Sequence, residues 1–525
     1  MGLAVGLSVL SGCVRQRVPP EELVVLIESP PRNIDPRYTT TSIDYKLTYL
    51  SFARLIDVDT QSLEPRFDLA ESVTPLPPGP GAPLRYEVTL RPAKFSDGSD
   101  VTAVDVLYTI EHYLDEKHGS AGLRRRFSES GLIQPIEIAG PRTLRLSYSH
   151  SYSSIITDLD FSIVKHGSFE KPSEVGLPIG AGPFVPVSEA GEVTRFVRNE
   201  HYYGGRPPME RLTVRVVRDA NSRLLSLVGG SADLTQNTVS PLLFEAVKKW
   251  QDRLKLQTAP SALLFYMGMN NEDERLRDPR VRRALALGID RERIMRTKLH
   301  GAARLATSLL APFHWAYSPP GPELALNLAY DPARAKKLLD EAGYPDPDGD
   351  GPKRRFTLLY KTSTDALPVA IARVIAAQLG EIGVGVELRP LEFNIFLSDV
   401  KKGNYQLYTL QSAEIAEPNM FRNFFHSAYA PTSKNLDAGL NRMRYRNSEL
   451  DALLDAGQSE PERAKRKVIY EKVQAILTRD LPMLPMWHPD NVVVMRRGIE
   501  GYQLWPSAQL SGLSKVSKVA TASSE

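Results

Sequence analysis

Catalysis would require a converged nucleophile, base or metal, and the 525 residues offer few candidates. The single cysteine, Cys13, excludes an internal disulfide. Neither G-x-S-x-G nor H-E-x-x-H occurs, so the hydrolase elbow and the zinc-protease helix lack their signatures. The nine histidines are scattered, and His112 and His118, six apart, do not share one helix face as metal ligands would. Asp346, Asp348 and Asp350 with Gly351 imitate the front of a calcium loop. Its twelfth position, where a bidentate Glu belongs, is Thr357, so the stretch reads as an acidic turn. Gly180 and Gly182, within Pro178-Ile179-Gly180-Ala181-Gly182-Pro183-Phe184, permit close backbone approach. They lack the Lys and Ser/Thr of a phosphate-cradling loop. Carboxylates are plentiful, but sequence does not show two of them facing one bond, so a glycosidase stays open and unsupported. No catalytic residue and no metal ligand is assigned, and binding is favoured over turnover.

Composition narrows the class. Charged residues make up 24% and hydrophobic ones 42%, ordinary for a soluble globular protein, and the length is compatible with two to four domains. Lys+Arg 65 against Asp+Glu 62 gives +3 without a long single-sign run, so nothing asks for nucleic acid. The 40 prolines imply many fixed loop corners. Residues 1–12 are apolar and small but too few to span a bilayer. No Lys or Arg precedes the apolar stretch, which predicts a true start upstream of Met1.

The elements that must position any site are clearest at residues 85–114. Tyr86, Val88 and Leu90 alternate with polar residues, the period of a half-buried strand that Pro92 ends. Asp97-Gly98 marks a tight turn, and Thr102 with Asp105 forms an acidic capping box for the helix that follows. Asp278-Pro279 and Asp331-Pro332 repeat the Asp cap and first-turn Pro, with Gly288 and Gly343 as stops. A strand at 356–361, a helix at 366–380 and a strand at 384–390 form a βαβ crossover. No internal repeat is visible.

Several strings, in order, resemble the solute-binding proteins of ABC importers that take oligopeptides, dipeptides and nickel (family 5). Leu90-Arg91-Pro92 with Lys94-Phe95-Ser96-Asp97-Gly98 comes first, followed by the Gly180-Ala181-Gly182-Pro183-Phe184 segment. Then come Asn199-Glu200-His201-Tyr202-Tyr203-Gly204-Gly205-Arg206-Pro207, Asp278-Pro279-Arg280-Val281-Arg282-Arg283-Ala284-Leu285 and Asp331-Pro332-Ala333-Arg334-Ala335-Lys336-Lys337-Leu338-Leu339. The resemblance covers residues 22–510. Leu10-Ser11-Gly12-Cys13 resembles a bacterial lipobox, in which the cysteine becomes lipid-modified.

The resemblance implies an α/β, two-lobed periplasmic-binding-protein (Venus-flytrap) fold of cluster C type with an extra subdomain. The expected division is a signal segment 1–13, a tether 14–21, lobe I from 22–58, 178–260 and 482–512, the subdomain 59–177, lobe II 261–481 and a disordered tail 513–525. It implies no enzyme and no cofactor. The expected partners are a peptide or other small solute, permease subunits with their ATPases, and a membrane reached through a lipid on Cys13, with the chain itself a monomer. Location would be the periplasm or the outer face of the cell membrane. Relatives hold a ligand ammonium with a carboxylate in a G-W-x-x-D-x-x-x-P stretch. Here the run is Gln411-Ser412-Ala413-Glu414-Ile415-Ala416-Glu417-Pro418-Asn419, one residue shorter and without Gly-Trp, and Glu414 is the substitute. Tyr408, Asn419, Phe421 and Arg422 flank it as expected cleft residues, and His426 is a lone candidate for nickel. The departure leaves an oligosaccharide, an opine-like or siderophore-like molecule or a metal chelate open as ligand. It also leaves open a ligand-presenting sensor or an exported hydrolase.

Overall fold

A computed structural model describes residues 18–519 except 40, 59–62, 78–82, 116–120, 172, 174–175, 350, 413 and 437–438. Cys13 and the signal segment fall outside the described residues.

The run Glu22–Ile27 is apolar at nearly every position because it is central in its sheet, with parallel neighbours Arg211–Val216 and Leu234–Gln236 on its two sides. Around it a seven-stranded sheet forms lobe I, in the order Leu254–Ala259, Asn491–Arg496, Leu234–Gln236, Glu22–Ile27, Arg211–Val216, Val193–Arg198, Phe184–Ala190. Lobe II is built on six strands, ordered Ala303–Leu305, Met483–Pro489, Phe265–Met269, Leu407–Gln411, Phe356–Ser363, Val384–Leu391. The last two pair in parallel and flank helix Ala366–Glu381, the crossover that the sequence predicts. The subdomain carries a four-stranded antiparallel sheet, Ala70–Leu76, Leu84–Leu90, Thr143–Tyr148, Leu132–Gly140. Its core takes in Ala53, Leu55, Ile56 and Ala181 from the flanking chain, so its packing runs past the expected limits of 59 and 177.

The local grammar acts as the sequence predicts. Asp105 reaches back to accept the Thr102 backbone N–H at 2.7 Å, and its other oxygen takes the His166 N–H at 2.8 Å. Asp278, Asp290 and Asp331 each cap a helix through a side-chain oxygen. Asp346 faces the Arg355 guanidinium at 3.7 Å.

Three expectations change. The strand Met483–Pro489 belongs to lobe II, where it pairs with Phe265–Met269 and Ala303–Leu305, and the return to lobe I begins only after Asp490. The tail is ordered through residue 519. Ser517–Lys518 pairs with Ile499–Glu500, and the Lys518 ammonium meets the buried Asp233 carboxylate at 2.8 Å. At the other end, Val18 N–H donates to the Gly230 carbonyl at 3.2 Å, so the expected tether is docked by that point.

The lobes are joined by two neighbouring crossings, 260–264 and Asp490. Ser261 donates to the Pro489 carbonyl, and the buried His488 Nδ1 lies 2.8 Å from the Leu263 carbonyl oxygen. Burial holds that imidazole down to about 4, so it stays neutral at physiological pH. Away from these crossings the subdomain touches lobe II. Ser153 N–H donates to Gln458 O at 2.8 Å, and Tyr429 OH donates to Glu129 Oε1 at 3.1 Å.

Gly180 and Gly182 run against the C-terminal end of helix Ser42–Ser51, where Gly182 N–H donates to Ser51 O at 2.9 Å. A Cβ at Gly182 would lie 2.4 Å from the Ser51 carbonyl carbon. Backbone stands on both sides and neither can give. Gly182→Ala is expected to destabilise by about 2–3 kcal/mol, the range of an overpacked core, measured by urea unfolding; a loss under about 0.5 kcal/mol would refute the contact.

Candidate functional site

The carboxyl ends of the two central sheets face one another across a cleft, the edge at which open α/β sheets present ligand sites. From lobe I come Glu28, directly after strand Glu22–Ile27, and Lys46 on helix Ser42–Ser51. From lobe II come Glu414, after strand Leu407–Gln411, and Asp365, the cap residue of helix Ala366–Glu381. Burial raises the Glu414 carboxyl to about 8, opposed by Lys46 and reinforced by Asp160. The same burial lowers the Lys46 ammonium, which Glu414 and Glu28 partly restore. Glu28 is accessible to water yet ringed by protein, and desolvation raises it too, with Arg223 and Lys46 acting in the opposite sense. Glu414 makes no ion pair within 4.0 Å and no hydrogen bond among the described residues. It is therefore a half-buried carboxylate without a partner. Such a group is costly to ionise and is stabilised by any donor cation that reaches it.

Beside this cleft lies a cavity of about 360 Å³ walled by lobe I, the subdomain and lobe II together. Its wall is fixed by Arg54, whose guanidinium donates to Asp160 Oδ1 at 2.7 Å, Tyr45 OH at 3.0 Å and Thr48 Oγ1 at 3.0 Å. It also lies 3.8 Å from the centre of the Tyr49 ring.

The residues expected around Glu414 separate. Asn419 borders the cavity and bridges its walls, donating to Ser154 Oγ at 2.5 Å and accepting from Tyr470 OH at 2.7 Å. Tyr408 is not a cleft residue: it is 0% exposed, lies across Gly268 and donates to Met443 Sδ at 3.2 Å. Phe421 is likewise 0% exposed, stacked on Tyr470 in the lobe II core. Arg422 is committed to Asp455 at 2.9 Å and to the Tyr429 hydroxyl. His426 faces Asp451 and Asp455 at 3.9 and 3.4 Å, with no further metal-ligating side chain grouped with them among the described residues. Sequence reading missed Glu28, Lys46, Asp365, Asp158 and Arg54. Glu28 alone carried a signal, as a charge immediately beyond the apolar run Leu23-Val24-Val25-Leu26-Ile27.

Two α/β lobes with a charged cleft at their strand ends define a binding protein of the hinged, two-lobed class. The chain belongs to the bacterial extracellular solute-binding proteins of family 5, whose middle-region model matches residues 65–433. It is a solute-binding protein and not an enzyme. The oligopeptide-binding protein AppA of Bacillus subtilis is 26% identical over 518 residues, covering 94% of this chain and 91% of that one. A probable di/tripeptide-binding protein of Pseudomonas aeruginosa is 26% identical over 484 residues, covering 87% and 84%. The solved structure of Bacillus subtilis AppA with a nonapeptide superposes with TM-score 0.76 at 25% identity, over 95% of this chain and 99% of that one. NikZ of Campylobacter jejuni, solved with Ni(L-His), shares the fold with TM-score 0.78 at 22% identity, over 95% and 100%. No helix among the described residues is long and apolar enough to cross a membrane.

A raised carboxyl has a stability consequence of fixed sign. The unfolded chain releases the Glu414 proton near 4.5, the ordinary value for a glutamate, whereas the folded chain keeps it to about 8. Stability from this group is thus present at low pH and falls as pH rises through that window. Glu414→Gln is expected to melt at the same temperature as wild type at pH 4 and above it at pH 9, by thermal unfolding without ligand. A gap that does not change with pH would contradict the assignment. Tyr408→Ala should cost about 3–5 kcal/mol of stability in urea, as expected of a buried aromatic.

Proposed function

We propose that the protein is a lipid-anchored, extracytoplasmic receptor that captures peptides in the interlobe cleft and delivers them to an ABC permease. The observation that carries the peptide reading is Glu414: a half-buried carboxylate, unpartnered, at the strand end of lobe II. A peptide's N-terminal ammonium supplies the missing donor, in a charge-assisted bond worth about 1.5–3 kcal/mol. Glu28, Ser29 and Pro30 are exposed beside the end of strand Glu22–Ile27 and offer extended backbone for a ligand chain to lie along, as in β-augmentation. The names of AppA and of the di/tripeptide-binding relative support the same ligand class. Asn419 contributes by holding the cleft wall.

Ligand binds in the cleft and favours lobe closure through contacts that it makes to both lobes at once. The anchor is Cys13, on the lipobox resemblance of Leu10-Ser11-Gly12-Cys13, and energy for uptake comes from partner ATPases, since the chain carries no P-loop.

The test is calorimetry with trialanine, N-acetyl-trialanine, maltotriose and nickel-histidine. Trialanine should bind, with affinity reduced roughly tenfold to a hundredfold by N-acetylation or by Glu414→Gln, and the two losses should not add. Binding of the sugar or the nickel complex alone would overturn the peptide reading. For the anchor, Cys13→Ser is expected to move the protein from the membrane fraction to the soluble one.

A further inference from the structure

The cavity beside Glu414 holds an excess of unused acceptors. Arg54 is committed to Asp160, Tyr45 and Thr48, and Arg126 donates to the Asp160 carbonyl at 3.1 Å. Arg125 is exposed to solvent. The carboxylates are only partly used. Glu417 meets Arg466 through one oxygen, and Glu129 meets the Tyr429 hydroxyl through one oxygen. Asp158 lies 3.8 Å from Arg126 on one side, and its Oδ2 is buried with no hydrogen-bond partner. A buried acceptor without a donor costs about 1–3 kcal/mol, more when charged. The cavity supplies no donor for it.

We infer that this cavity is the specificity subsite for a cationic side chain of the bound peptide, an arginine or lysine whose terminal N–H groups reach the Asp158 carboxylate between Glu129 and Glu417. The inference rests on the peptide reading of the cleft. The volume, about 360 Å³, is at the small end of ligand sites, enough for one long side chain and its waters. Tyr45 and Tyr152 border it and give a guanidinium aromatic surface to lie against. Arg125 also lines the cavity, but an anion is disfavoured, since Glu129, Asp158, Asp160 and Glu417 line it too and Arg54 and Arg126 are already bonded.

The charges around Asp158 agree. Arg126 faces it from the subdomain helix Ala121–Ser130, Glu129 from the same helix, Asp160 from the same loop and Glu417 from lobe II; Tyr148 and Tyr152 lie close. Burial first, then Glu417, Glu129 and Asp160, raises the Asp158 carboxyl to about 8 against the pull of Arg126. An arriving cation therefore displaces a proton from Asp158 at neutral pH.

The test uses the full chain and tetraalanine peptides with one residue replaced in turn by arginine or by its neutral isostere citrulline. At one position arginine should bind at least tenfold tighter than citrulline. Asp158→Asn should abolish that preference while the loss on N-acetylation persists. Should Asp158→Asn not fold, the wild type still decides: calorimetry at pH 7 in buffers of different ionisation enthalpy should show more protons released by the arginine peptide. Equal affinity and equal proton release for arginine and citrulline at every position overturn the subsite. If the free-terminus requirement survives that result, the peptide reading stands without it. Failure of every peptide to bind overturns both.

Discussion

One buried guanidinium ties lobe I to the subdomain. Arg54, 2% exposed, sits where helix Ser42–Ser51 gives way to the subdomain and answers Asp160 from 106 residues further along the chain. Tyr45 OH closes the triangle by donating to the other Asp160 oxygen at 2.9 Å. Removing one partner of a buried ion pair leaves an uncompensated charge and typically costs about 3–5 kcal/mol. Lobe I and the subdomain consequently present one continuous wall to lobe II. The position of Asp160, which bears on Glu414, and of Asp158, two residues away, is inherited from that bond.

Within the wall the protein leaves acceptors unanswered. Most buried polar groups in folded chains are paired, so Asp158 Oδ2 departs from a strong rule, and across the cleft the half-buried Glu414 of lobe II makes no bond among the described residues. Neither is balanced locally: Lys46 acts on Glu414 without an ion pair, and Arg126 stands 3.8 Å from Asp158. The cost is held down by retaining protons, which is what the upward displacement of both carboxyls to about 8 expresses. Sites of this kind are structurally poor and functionally poised.

What the sequence made legible was local. The Asp caps, the turn at Asp97-Gly98 and the tight passage of Gly180 and Gly182 depend on neighbours within a few residues or on backbone clearance, and their residue types announce them. The fold class was readable because five such strings keep their order. The site was only partly readable. Glu414 could be placed by its run, but Tyr408 and Phe421, close to it in sequence, turn into the core, because Leu407–Gln411 is covered on both faces and helix Met420–Phe425 points its Phe421 inward. Lys46, Glu28 and Asp158 are hundreds of residues from Glu414, and no periodicity encodes that meeting. The Ser/Lys/Ala tail read as disordered by composition, yet a short β pair and the Lys518–Asp233 contact hold residues 517–518. The segment 482–512, expected in lobe I, is split: Met483–Pro489 joins the lobe II sheet and Asn491–Arg496 the lobe I sheet, with Asp490 between them.

The two groups of acceptors explain how a hinge can be made selective. A ligand shifts a hinged protein only by its difference in affinity for the two arrangements, so contacts confined to one lobe do nothing to closure. Glu414 and Glu417 belong to lobe II, whereas Asp158, Asp160 and Glu129 belong to the wall that Arg54 assembles. Brought together without a ligand, these carboxylates raise one another, since Glu417 and Glu129 raise Asp158 and Asp160 raises Glu414. Lys46 and Arg126 oppose these effects, and a donor placed between the lobes opposes them further. A molecule with a single cation can satisfy one group. On the proposed peptide reading, one with two cations, suitably spaced, would satisfy both and contact lobe II and the wall at once.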